Sequence, residues 1–324
     1  GCTFDGEHLE PYFSLKIQEP IDNPPEEIAR ELRRRLECAV KEFLDFGKTG
    51  SWLSGGLDSS AIAAIASQYC KRIETFAVGL PDAPDLLYAR QMAEHIHSNH
   101  HEIIVKPEEI IRVLPDVIYY LESFDALLVR SSIFNYLVAQ HASRYIPAAF
   151  TGEGGDELFA GYEYLKGVDL ERLPFELIDI TNRLHNTALQ RVDRCASAHA
   201  TIPHVCFLDP NVVEYALRIP VKFKLRNGVE KWILRQAVAD LLPSRILHRP
   251  KLKFWQGVGV EGLLTQYAED QVSMADFLGE SYLFNGGRVN TKGKLLYYRI
   301  FNQFFGSADD LSWMGRTKTA PAAA

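Results

Sequence analysis

The stretch Thr49-Gly50-Ser51-Trp52-Leu53-Ser54-Gly55-Gly56-Leu57-Asp58-Ser59-Ser60-Ala61 reads as a strand, a glycine turn and the start of a helix. Residues 49–53 form a short run suited to a buried strand, and the small-residue run 61–67 is compatible with a helix. Between them, Gly55 and Gly56 let a ligand approach the backbone closely, while Ser54, Ser59 and Ser60 add hydroxyl donors. Unpaired N–H groups at such a helix start converge on a polyanion, above all phosphate. The lysine of a GxxxxGK[ST] loop is missing, which argues against a Walker-type site.

The surrounding pattern extends this unit into an α/β fold. Pro24 and Pro25 introduce an amphipathic segment with an apolar stripe of Ile28, Leu32, Leu36, Ala39, Val40 and Phe43, and with Arg33, Arg34, Arg35 and Lys41 largely opposite. Strand-like runs at 73–79, 102–105 and 146–150 alternate with helix-like runs at 85–96, 108–121 and 131–145. This alternation predicts a doubly wound, mostly parallel sheet that binds ligands outside the carboxyl ends of its strands. A second glycine-rich turn, Thr151-Gly152-Glu153-Gly154-Gly155-Asp156-Glu157, follows the last of these runs and carries three carboxylates. Helix-compatible stretches at 175–184, 211–217, 231–241 and 263–267 predict a mostly helical remainder. The expected organisation is a lead or linker over 1–23, an α/β unit over 24–169, and a helical region over 170–306 that completes the site. The tail over 307–324 has little to bury and is expected to be mobile.

Composition narrows the partners. A formal net charge of −7, with signs interspersed, lacks the basic field needed for stable nucleic-acid binding. No apolar run approaches the length of a bilayer span and the start has no signal-like core, so membrane insertion is not expected and a cytoplasmic location is. Cys2, Cys38, Cys70, Cys195 and Cys206 show neither CxxC spacing nor a disulfide framework, which favours reduced thiols. His100 and His101 point in different directions on a strand and have no defined third ligand, so no zinc is assigned. Homo-oligomerisation is left open.

From about residue 12 to residue 305 the chain resembles the synthetase domain of glutamine-dependent asparagine synthetases, without their N-terminal glutaminase domain. The Ser54–Ser60 string resembles the loop of N-type ATP pyrophosphatases. Thr75-Phe76-Ala77-Val78-Gly79, Pro84-Asp85-Leu86, His100-His101-Glu102, Leu189-Gln190-Arg191-Val192-Asp193-Arg194, Phe207-Leu208-Asp209 and Arg249-Pro250-Lys251 occur in the family's order. The resemblance implies an adenine nucleotide alpha hydrolase-like sheet. It also implies ATP cleavage between the α and β phosphates, a carboxylate activated as its acyl-adenylate, and attack by nitrogen that releases an amide, AMP and pyrophosphate.

Residue roles follow from the same resemblance. Ser54, Gly55, Gly56, Ser59 and Ser60 would bind pyrophosphate, and Trp52, Leu53 and Val78 would approach adenosine, with the Gly152 backbone closing the pocket. Asp58 and Asp156 would ligate Mg2+, which takes hard oxygen donors and retains water, with Glu157 a secondary candidate. Local capping would explain either aspartate alone. Glu153 would manage the proton during nitrogen attack, and Lys251 would close on pyrophosphate with Arg249 as a weaker accessory. Lys231 aligns with a recurrent basic position, and Asp85 either binds ATP or shapes a turn. Glu122, Asp125 and Arg130 fall in a stretch that resembles the substrate pocket.

The resemblance implies a small carboxylate as acceptor, with nitrogen from ammonia or an amine. Cys2 follows Gly1, with too little chain before the ATP loop to form a glutaminase, so it is read as non-catalytic and a separate glutaminase as one nitrogen source. The clearest departure is Ala200-Thr201-Ile202-Pro203-His204-Val205-Cys206, where Ile202 replaces an expected acid and His204 an expected arginine. This points to a changed acceptor. It keeps open an adenylate-forming cyclase or a ligase acting on a peptide substrate, beside a non-catalytic nucleotide-binding assembly subunit.

Overall fold

The computed structural model describes residues 2–44, 48–250, 261–282, 288–306, 310–318 and 320. Strands β1 (Cys2–Phe4) and β2 (Leu9–Pro11) pair as an exposed antiparallel hairpin. The body then runs α1 (Pro25–Leu44), β3 (Thr49–Trp52), α2 (Leu57–Ser67), β4 (Glu74–Gly79), α3 (Pro84–His95) and β5 (Asn99–Ile104). It continues through α4 (Pro107–Leu121), α5 (Ala126–Ala142), β6 (Ala148–Phe150), α6 (Gly155–Leu158), α7 (Leu173–Asn182), α8 (Ala188–Ser197) and β7 (Ile202–His204). Short helices α9 (Pro210–Arg218), α10 (Val221–Lys224), α11 (Trp232–Ala237) and α12 (Ser244–Leu247) follow, with later helices at Glu261–Gln271, Met274–Glu280 and Lys292–Phe305.

The main sheet has the order β5-β4-β3-β6-β7, with every pairing parallel. Period-two alternation sends its side chains into two cores: Trp52, Phe76 and Val78 join one, while Leu53 and Ala77 join the other. Helices α4, α5 and α8 cover the first face, and α1, α2 and α3 the second. This is a doubly wound α/β architecture. The chain builds β4 and β5 to one side of β3 and then returns to place β6 on the other. The β3 and β6 ends therefore flank the point where strand order reverses, which is where such sheets bind ligands.

Helix α1 matches its sequence pattern. Ile28, Leu32, Leu36 and Val40 are fully buried against α2, α9 and α11, each such side chain contributing roughly 1.5–3 kcal/mol. Helix α5 begins at Ala126 rather than near 131, because the Asp125 carboxylate accepts the Leu128 N–H at 3.0 Å and caps it. Beyond residue 169, Val192, Cys195, Tyr297, Phe301, Leu311 and Met314 share the core of Trp52 and Phe76, while Leu173, Leu177 and Ile180 form a small cluster with Ala160 and Leu165. Within 310–318, Leu311 and Met314 are buried. Among the described residues, no helix is long and apolar enough to cross a membrane.

Candidate functional site

A cavity of about 800 Å³ opens at the carboxyl ends of β3, β4 and β6. Its floor is the turn between β3 and α2. Gly56 precedes the helix in an extended conformation with no side-chain cap, so the first N–H groups of α2 remain available to an anion. The turn is ordered by its own serines: Ser54 N–H donates to Ser59 Oγ at 3.2 Å, the two hydroxyls lie 3.0 Å apart, and Ser59 Oγ donates to the Gly56 carbonyl at 3.3 Å. From behind, the buried Arg249 donates to the Ser54 carbonyl at 3.2 Å, pairs with Asp85 and lies 4.0 Å over the Tyr88 ring. Asp85 holds Arg249 beside the turn, and both side chains line the cavity.

The second turn meets the first through Lys231. Its buried ammonium pairs with Asp58 Oδ2 and, at 2.6 Å, with Asp156 Oδ1. Lys231 has φ +55°, and such left-handed backbone costs a non-glycine residue on the order of 1 kcal/mol or more. Arg235 supports the preceding residue by donating to the Glu230 carbonyl at 3.0 Å and its carboxylate at 2.7 Å. Space is equally constrained. A Cβ on Gly155 would lie 2.7 Å from Asp58 Cγ, and one on Gly161 would collide with Asp156 Oδ1 and Lys231 Cε.

The three carboxylates of the second turn occupy different surroundings. Glu153 pairs with Arg191; burial works against the guanidinium charge, but Glu153 holds its pKa above the usual range. Asp156 meets Lys231. Glu157 is buried, accepts from Tyr162 Oη at 2.5 Å, and is pushed up to about 7 by burial and then by the neighbouring Asp156 charge.

The wall toward the mouth comes from α5, α7, α8 and residues 316–318. Leu127, Leu128, Ser131, Asn135 and Val138 line it at helical spacing. Lys318 bridges Glu176 and Asp179 at 2.7 Å each, and Arg183 pairs with Asp179 at 2.9 Å. Arg316 lies 5.1 Å over the Phe124 ring.

Fourteen of the residues anticipated from sequence line this cavity: Trp52, Leu53, Ser54, Gly56, Asp58, Ser59, Val78, Gly152, Glu153 and Asp156, with Asp85, Glu157, Lys231 and Arg249. Gly55 and Ser60 do not. Gly55, at φ +68°, packs against Tyr88 and Ala89, and Ser60 is fully buried behind the turn. Lys251 lies outside the described residues.

None of the anticipated substrate trio is in the cavity lining, although Asp125 holds Thr317, which is. Glu122 pairs at the surface with Arg194 at 3.0 Å. Asp125 caps α5 and accepts Thr317 Oγ1 at 2.9 Å. Arg130 lies toward Gly293 and Tyr297. Ile202 and His204 also miss the cavity lining: Ile202 is exposed on the edge strand β7, and the His204 ring stacks on Phe43 at 4.2 Å. The residues missed from sequence are Arg183, Arg191, Tyr162 and 316–318. For Arg191 a signal existed in the Leu189–Arg194 run, which was matched without a role.

Asp58 and Asp156 suit a magnesium ion. Both already contact one cation, the Lys231 ammonium, and two carboxylates completed by water and phosphate are characteristic of Mg2+. No cluster of three or more potential His, Cys, Asp or Glu ligands occurs among the described residues. His100 and His101 have structural partners instead, Thr75 Oγ1 at 2.9 Å and Glu74 at 2.7 Å.

The asparagine synthase family model matches residues 31–179 and 174–320. The glutamine-hydrolyzing asparagine synthetase of Gallus gallus is 36% identical over 300 residues, covering 86% of this chain and 53% of that protein. The Homo sapiens enzyme of the same name is 36% identical over 310 residues, covering 89% and 55%. The chain spans about half the length of the curated relatives it matches. A solved NMN synthetase from Francisella tularensis aligns at 17% identity with a TM-score of 0.38, over 91% of this chain and all of that one.

Proposed function

This chain belongs to the asparagine synthase family, and we propose that it is an ATP-dependent amide synthetase that activates a carboxylate as its acyl-adenylate. The observation that carries the reading is the Asp58–Lys231–Asp156 cluster beside the Ser54–Ser59 turn, which joins fixed charge to a ready-made anion cradle. Trp52 and Val78 offer adenosine an apolar wall, and the N–H groups at the start of α2 receive phosphate oxygens. An acceptor oxygen bonds to the α-phosphorus as the link to the bridging oxygen breaks and pyrophosphate leaves. Lys231 holds positive charge where the leaving group gathers negative charge, and Lys251 is assigned as a second cation for it. Asp58 and Asp156 would hold Mg2+, which when bound shields the phosphate charge.

In the second half-reaction, ammonia or an amine adds to the acyl carbon, AMP departs and one proton is released. Glu153, fixed in orientation by Arg191 on the cavity wall, is the residue assigned to orient the nitrogen and take that proton. Enclosure by α5 and by residues 316–318 limits hydrolysis of the adenylate.

Incubating the purified chain with ATP, Mg2+, ammonium and a carboxylate panel that includes aspartate, followed by mass spectrometry, tests the reading. AMP, pyrophosphate and an amide in equal amounts are expected. ADP and phosphate in their place, or no nucleotide turnover with any acceptor, would overturn it.

A further inference from the structure

Among the described residues, the cavity mouth contains a cation that no carboxylate contacts directly, Asp125 acting on it only through space. Every other described lysine or arginine on the cavity wall, from Lys231 at the floor to Lys318 at the mouth, is paired with a carboxylate. Arg316 has no hydrogen bond or ion pair among the described residues; its contact is the face of Phe124 at 5.1 Å. The nearby Asp125 carboxylate is engaged by the Leu128 N–H and the Thr317 hydroxyl. Stacking on a ring sets the plane of a guanidinium and leaves its N–H donors unspent.

The backbone around Arg316 is anchored on both sides. Met314 is buried, Gly315 packs against the Asn186 carbonyl, Thr317 donates to Asp125, and Lys318 spans Glu176 and Asp179. An arginine on free chain would be an ordinary solvated charge. One held between fixed neighbours at the wall of a cavity is prepared to receive an anion, and its fork suits a carboxylate in particular.

We propose that Arg316 recognises an anionic group of the acceptor, distinct from the carboxylate that is activated. The assignment rests on the amide-synthetase reading, and it makes Arg316 a specificity-determining residue for an acceptor with two anionic groups. The phosphate end of the cavity has its own cations in Lys231 and the α2 start, which leaves Arg316 to the other substrate.

Calorimetric titration of the full chain, loaded with a non-hydrolysable ATP analogue and Mg2+, tests this without requiring turnover. The probes are L-aspartate, succinate and glutarate against β-alanine and butyrate, which lack the second carboxylate. Wild type should bind at least one dicarboxylate roughly ten- to hundredfold more tightly than its single-carboxylate counterpart, the range a charged hydrogen bond supplies. Arg316→Gln should abolish that preference, Arg316→Lys should retain part of it, and both should bind the ATP analogue as wild type does. The proposal fails if no dicarboxylate is preferred by wild type, if Arg316→Gln keeps the preference, or if analogue binding falls in parallel. Product analysis with the carboxylate panel separately judges the amide-synthetase reading, so discrimination that depends on Arg316 without AMP formation would sink the chemistry alone.

Discussion

At the floor of the cavity, Asp58, Asp156 and Lys231 form a buried cluster in which every charge has a partner, supplied by two short glycine-rich motifs and one lysine. At the mouth, Glu176, Asp179, Arg183 and Lys318 form pairs of graded exposure drawn from distant stretches of chain, and Arg316 has no direct ion pair among the described residues beside them. The floor uses low dielectric and fixed geometry, where a misplaced charge is severe. The mouth uses pairs that range from the largely enclosed Lys318–Glu176 to the half-exposed Arg183–Asp179. On the proposed function, phosphate handling and acceptor discrimination would be separated along one cavity.

The sharpest way to break this contrast is Lys231→Met, which leaves Asp58 and Asp156 facing each other in a buried site. AMP formation should fall by roughly 10²–10³-fold, and denaturant unfolding should show a loss of about 3–5 kcal/mol. Added Mg2+ should recover part of the stability but little of the rate. Normal turnover in this variant would remove Lys231 from the chemistry.

Glu153→Gln comes next, with a fall of roughly 10²-fold in amide formation measured by mass spectrometry. Binding of an ATP analogue should be unchanged, since Glu153 pairs with Arg191 rather than with the β3–α2 turn. Equal losses in both would assign Glu153 to the scaffold.

Lys224 sharpens the comparison from outside the cavity. It is as buried as Lys231, yet no carboxylate is paired with it among the described residues, and burial lowers its pKa from 10.5 to about 7. Between those values the unfolded chain binds a proton that the folded chain does not, so stability declines as pH drops from about 10.5 toward about 7. Lys224→Met should therefore stabilise the protein by roughly 1–3 kcal/mol at pH 7, and the gain should vanish near pH 10.5 in thermal melts across that range. A gain independent of pH would mean the lysine's charge is not the cause.

The smallest effect belongs to the mouth itself. Lys318→Met should cost about 1–2 kcal/mol in denaturant unfolding, since its pair with Glu176 is largely enclosed while Asp179 keeps Arg183. Its mark should instead be weaker acceptor binding with ATP affinity unaltered, because residues 316–318 would lose their hold on α7.

The same division governs what could be read from the amino-acid string. The floor was legible because a strand, a glycine turn and a helix are local, and because Asp58 and Asp156 each sit inside a motif. Lys231 was visible as a position, but its bond to both aspartates depends on chain passing back under the second turn. Arg316 and Lys318 were illegible for the opposite reason: they lie in a polar segment whose value comes from Asp179, Glu176 and Phe124, far away in sequence. Strand β7 escaped notice because three residues, one of them Pro203, give no alternation to detect, and an edge position tolerates that proline. Of the substrate trio, Glu122 and Asp125 fall at helix ends and Arg130 on a face of α5 away from Leu128 and Ser131, a distinction that helix boundaries read from sequence do not fix.

The clasp of Lys318 on Asp179 joins residues 139 positions apart. During synthesis, a nascent chain can emerge from the ribosome with the sheet, both glycine turns and Lys231 in place while its cavity mouth lacks the Lys318 wall. In that interval Glu176 lacks its lysine partner, Asp179 keeps Arg183 alone, and Arg316 has yet to reach Phe124. The order of translation thus completes the β3–α2 turn and the Asp58–Lys231–Asp156 cluster before the wall at residues 316–318, and a product terminated ahead of residue 316 would carry the first without the second.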